Sequence, residues 1–176
     1  MSTLRTTSRV GILLAAAALA LSGCTAADAS AQSEADAVVV TDAWVKAVED
    51  GMTAAFGEVE NTGTTDVTIV SAETDASPMI ELHETVDDGT GTMTMQEKDG
   101  GFVIAAGDTL TLEPGGNHIM FMGVAAPIVA GDEVTITLVF SDGSTLEVTA
   151  PAKDYSGANE EYVGDDMDHD SMDMDG

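Results

Sequence analysis

The stretch "EPGGNHIMFMG", Glu113 to Gly123, reads as a turn rich in Pro and Gly followed by a short extended segment. Successive side chains of an extended chain point to opposite faces, so Ile119 and Phe121 share one face while His118, Met120 and Met122 share the other. The first face is hydrophobic core. The second is a row of soft donor atoms, which ordinary sheet does not require.

Working outward, the same kind of segment recurs along the chain. "AVVVTDAWV", "TAAFGEVEN", "DVTIVSAE", "MIELHETV", "TMTMQEK", "FVIAAG", "DTLTLEP", "EVTITLVF" and "STLEVTA" are short, alternating or β-branched, and separated by Gly, Asn, Asp or Pro. "SDGS", between Phe140 and Thr145, carries the Asp-Gly hairpin signal. No stretch holds a helical period for three turns. The expected fold class is all-β, an antiparallel sandwich or small barrel.

The chain divides into four parts. Residues 1–23 read as an export signal, with Arg5 and Arg9 ahead of an apolar run, Val10 to Leu21, too short to span a bilayer. "LSGC" follows and resembles a bacterial lipobox, which implies cleavage before Cys24 and lipidation of that residue; a plain secretory signal with an incidental Cys is the alternative. Residues 24–36 form a small, polar tether, residues 37–153 the folded body, and residues 154–176 a disordered acidic tail that cannot bury a core. Cys24 is the single cysteine, so no disulfide framework is available and packing alone must stabilise the body.

Formal net charge is −27, and −29 once the two arginines leave with the signal; only Lys46, Lys98 and Lys153 oppose it. Nucleic acid and anionic headgroups are excluded as partners, and a lipid anchor is the one membrane contact expected. Solubility or a salty exterior accounts for most of the acidity. No Ser-His-Asp arrangement, phosphate loop or thiol nucleophile points to an enzyme.

The donors form two sets. In "PMIELHETV", Ile80 and Leu82 take one face and Met79, Glu81, His83 and Thr85 the other. If "DDGTG", Asp87 to Gly91, is a hairpin loop, Val86 faces Thr92, His83 lies directly opposite Met95, and Thr85 faces Met93. The second set is His118 with Met120. Two imidazoles and two thioethers are soft and uncharged, which suits Cu(I) rather than Mg²⁺, Ca²⁺ or Mn²⁺, and suits zinc less well without thiolate or carboxylate. A methionine in a strand is more often core filler, and that reading is kept for Met52 and favoured for Met79 and Met93. Met93 and Met122 stand as candidate accessory sulfurs.

From Trp44 to about Pro151 the chain resembles the PCuAC copper chaperones. The residues that carry the likeness are "DAWVKA", "ENTG" at Glu60 to Gly63, "IELHETV", "MTMQE" and "AAGDTLTLEPGGNHIMFMG". The resemblance implies a Greek-key, cupredoxin-like sandwich binding one Cu(I), with His83, Met95, His118 and Met120 as ligands. Met95 lies one residue further from His83 than is usual, with Met93 its rival, and Thr85 stands where the family often has Met. The resemblance also implies delivery to the copper-bearing subunit of cytochrome c oxidase, at its dinuclear copper centre, alongside a Sco-type thiol protein. The expected state is a monomer anchored by lipid to the outer face of the cytoplasmic membrane.

The tail ends "GDDMDHDSMDMDG", where Met167, His169, Met172 and Met174 alternate with aspartates. Carboxylate with imidazole suits Cu(II) and thioether suits Cu(I), so the arm reads as a recruiter of either state, against the alternative of a solvated acidic tail. Two rival functions remain: an adhesive or structural sandwich lipoprotein without metal, and a copper sequestration or resistance protein. A blue-copper electron carrier would need a Cys ligand that the body lacks.

Overall fold

Alternation builds most of the strands in this computed structural model, which describes residues 32–87, 89–91, 93–157 and 161–162. The strands are β1 (Val38–Lys46), β2 (Thr53–Asn61), β3 (Val67–Glu73), β4 (Ile80–Asp87), β5 (Met93–Glu97), β6 (Phe102–Ile104), β7 (Thr109–Leu112), β8 (His118–Phe121), β9 (Glu133–Phe140), β10 (Thr145–Lys153) and β11 (Glu161–Tyr162). In β9, Val134, Ile136, Leu138 and Phe140 are buried while Glu133 and Thr135 are exposed, the period-2 pattern of a strand with one face on a core.

Hydrogen-bonded neighbours run β11-β5-β4-β8-β2-β1-β10-β9-β3-β6, with β7 also paired to β2. The all-β expectation holds. Most pairs are antiparallel, but β1 lies parallel to β10 (Val45↔Ala152) and β11 parallel to β5 (Tyr162↔Met95). Both parallel pairs join segments far apart in sequence, where no hairpin turn dictates direction.

The apolar faces of β2, β4 and β8 meet those of β3, β9 and β10 in one principal core, which includes Ile69, Leu82, Ile119, Phe121, Leu138 and Phe140. A separate, smaller cluster of Ala54, Phe56, Met95 and Met120 is flanked by Trp44 and Met122. Neighbouring residues of one strand therefore belong to different clusters: Ala55 with Ala54 in β2, and Phe121 with Met120 in β8. The smaller cluster lies on the opposite side of the β5-β4-β8-β2 sheet from the principal core.

"ENTG" has a structural role. Asn61 is fully buried; its Nδ2 donates to the carbonyls of Thr65 (2.9 Å) and Ile104 (3.0 Å), and its Oδ1 accepts from the Gly63 amide (2.9 Å). It ties the turn after β2 to the end of β6. Asn61→Ala leaves these groups without that partner in the interior, and the expected loss is about 2–4 kcal/mol, read from chemical unfolding.

Contacts with the body extend beyond Lys153, the residue at which the sequence reading ends the body. The Tyr155 ring meets Trp44 edge-on at 5.4 Å, Lys46 Nζ donates to the Gly157 carbonyl (2.8 Å), and β11 follows.

Candidate metal centre

β4 and β8 are antiparallel neighbours, and their register sets His83 directly against His118 and Glu81 against Met120. The two imidazole centroids lie 5.3 Å apart, with planes at 71°. On the far side of β8, Ala54 of β2 pairs with Met120, and Phe56 lies 6.3 Å from the His118 ring. On the far side of β4, Thr85 pairs with Met95.

The hairpin count misses by two residues. His83 pairs with Glu97, Thr85 with Met95 and Asp87 with Met93. Asp87 extends β4 by a residue because its Oδ1 accepts from the Gly89 (2.7 Å) and Gly91 (3.2 Å) amides, closing the loop from the strand end. A slip of two preserves parity, so Met95 keeps the face of His83 but lies diagonal to it instead of opposite.

Each histidine is oriented by a neighbour. His118 Nδ1 is 3.0 Å from the Gly116 carbonyl, an acceptor, so the proton belongs on Nδ1 and the lone pair on Nε2. Thr85 Oγ1 donates to the same carbonyl (3.1 Å), holding it in place. His83 Nε2 is 2.7 Å from Glu81 Oε2; an ionised carboxylate only accepts, which puts the proton on Nε2 and, in the neutral ring, the lone pair on Nδ1. Carbonyl and carboxylate partners of this kind orient imidazoles that bind metals.

Met95, His118 and Met120 line one small cavity of about 70 Å³, together with Lys46, Met52 and Phe56. His83 does not line it; it stands beside His118 in the adjoining strand. All four are buried, with exposures of 0% for His83, 4% for His118, 7% for Met95 and 6% for Met120. Among the described residues no group of three or more His, Cys, Asp or Glu side chains converges. The cavity instead offers the His118 imidazole with the Met95 and Met120 thioethers, a donor set that fits a soft monovalent ion better than a hard divalent one.

Residues 38–152 match the family model described as "Putative lipoprotein LpqE-like". The chain belongs to the LpqE-like family. It is 53% identical over 155 residues to "Putative lipoprotein Lxx21020" of Leifsonia xyli subsp. xyli, covering 86% of this chain and 93% of that one. Among solved structures, the Cu(I) form of DR1885 from Deinococcus radiodurans is 34% identical, with a TM-score of 0.54, over 72% of this chain and 86% of that one. The apo PCuAC domain from PmoF1 is 16% identical and has a TM-score of 0.59, over 71% of this chain and 100% of that one. This member of the LpqE-like family thus has the PCuAC, cupredoxin-like fold that its sequence resembles, in a family of lipoproteins.

The remaining candidates separate. Met93, at the start of β5, is 47% exposed and outside the cavity, whereas Met122 is half-buried against the Met95–Met120 cluster. Met79 is 52% exposed and Met52 46% exposed, so neither fills the core as their sequence context suggests. Met52 lines the cavity itself. Cys24, Met167, His169, Met172 and Met174 lie outside the described residues. Glu81 was legible as a neighbour of His83 on one strand face but drew no role, because a carboxylate two residues along a strand usually faces solvent.

Proposed function

We propose that this chain is an extracytoplasmic copper chaperone. It binds one Cu(I) through His83, Met95, His118 and Met120 and delivers it to the dinuclear copper centre of cytochrome c oxidase. The carrying observation is that His118 lines one cavity with two buried sulfurs, on the side of the sheet away from the principal core, with the His83 ring 5.3 Å from its own. Four neutral donors leave the single positive charge of Cu(I) uncancelled, so the ion is held by soft donation and not by anionic ligands. Release then proceeds by ligand exchange to an anionic thiolate, such as that of a Sco-type protein or of the copper-bearing oxidase subunit, without change of oxidation state. The copper-bound relative supports the choice of metal. A lipid on Cys24 would hold the domain at the outer face of the cytoplasmic membrane, where the oxidase exposes that centre. Met167, His169, Met172 and Met174 would supply a second set, able to collect Cu(II) or Cu(I).

Anaerobic titration of a chain ending at Tyr162, against a chromophoric Cu(I) chelator, is expected to show one tightly held ion, which then transfers to the reduced copper-bearing domain of the oxidase subunit. Failure to retain Cu(I) refutes the binding. Retention without transfer refutes delivery and leaves sequestration.

The Glu81 carboxylate adds its own test. Glu81→Gln keeps a hydrogen-bonding group beside His83 but removes the anionic acceptor that orients its ring, and Cu(I) affinity is expected to fall by about 10-fold. The same titration reads it; an unchanged affinity means that His83 is not a ligand oriented through Glu81.

A further inference from the structure

The four proposed ligands are at most 7% exposed, so an acceptor cannot reach the ion through any of them. Three of them, Met95, His118 and Met120, line a small cavity together with a further thioether, Met52, which is 46% exposed. It follows Gly51, whose φ of +76° turns the chain between β1 and β2, and Thr53 Oγ1 anchors that turn by donating to the Lys46 carbonyl. Met52 immediately precedes β2 and lines the cavity beside Ala54 and Phe56, both in the Met95–Met120 cluster, and Ala54 is the partner of Met120. Lys46, which also lines the cavity, has its ammonium engaged at the Gly157 carbonyl.

We propose that Met52 is a transfer ligand, a thioether that binds Cu(I) at the cavity mouth on its way to and from the buried set. This rests on the copper reading of the site. A bond from Met52 Sδ to the ion forms before one bond to a buried donor breaks, so coordination number never falls below its resting value during exchange and no electron moves. The unbranched side chain, with three rotatable bonds, has the reach for it. Because Met52 is absent from the resting coordination set, it lowers the barrier in both directions equally and leaves the equilibrium in place.

The test compares the whole mature chain with its Met52→Leu variant, both carrying methionine labelled with ¹³C at the ε-methyl. Stopped-flow transfer of Cu(I) to and from a chromophoric chelator is expected to slow about 10-fold in each direction, with affinity held within about 3-fold. In the parent, the Met52 methyl should broaden at substoichiometric Cu(I), while those of Met95 and Met120 shift to new positions. Unchanged transfer rates in Met52→Leu, with Met95 and Met120 still shifting, overturn the transfer role and leave the copper site standing. A large affinity loss in Met52→Leu also overturns it, since Met52 would then be a resting ligand. Absence of any shift at Met95 and Met120 refutes the site itself.

Discussion

His118→Ala is expected to lower Cu(I) affinity by at least about 100-fold, beyond the range usual for losing a group that merely orients a ligand. His118 lines the cavity with both sulfurs, and its Nδ1 faces the Gly116 carbonyl, which puts the imidazole lone pair on Nε2. The fold should survive. His118 sits outside the principal core, and the Gly116 carbonyl keeps the Thr85 hydroxyl as donor after the ring is gone. Chelator competition measures the affinity and circular dichroism the fold. A folded variant with parental affinity would remove His118 from the ligand set.

The neighbouring pair Met120 and Phe121 should separate binding from stability on a single strand. Phe121 is 0% exposed in the principal core, and Phe121→Ala is expected to cost about 3–5 kcal/mol. That is a large share of the roughly 5–15 kcal/mol of an ordinary domain, yet the fraction still folded should bind Cu(I) as before. Met120 belongs to the smaller cluster, and Met120→Ala should cost about 2 kcal/mol, the low end for removing a buried methionine side chain. Its Cu(I) affinity should nevertheless fall by about 100-fold or more, again past the range for orienting residues. Denaturant unfolding paired with the chelator titration distinguishes them. If Phe121→Ala abolished copper binding in the folded fraction while Met120→Ala spared it, the two faces would be assigned the wrong way round.

What was legible in the sequence was parity. His118 and Met120 against Ile119 and Phe121, and His83 against Leu82, divide between the two sides of the sheet as alternation requires. Parity also rescued the β4–β5 hairpin, since a two-residue error in register leaves Met95 on the face of His83. Register itself was not legible, because it turned on the Asp87 side chain capping the loop. Nor was Met52 legible as a cavity residue. Its position depends on β2 pairing with β8, segments more than sixty residues apart, and nothing local to "EDGMTAAF" signals that neighbour. The parallel pairings and the contacts beyond Lys153 are long-range in the same way. The family likeness rested on motifs spread across the body, and the family match covers that same body.

X-ray absorption at the copper edge, on the Cu(I)-loaded chain ending at Tyr162, tests the coordination directly. Two imidazole nitrogens and two thioether sulfurs around one cuprous ion are expected, with the sulfur contribution halved in Met95→Ala. A first shell without sulfur, or one unaltered by that substitution, contradicts it.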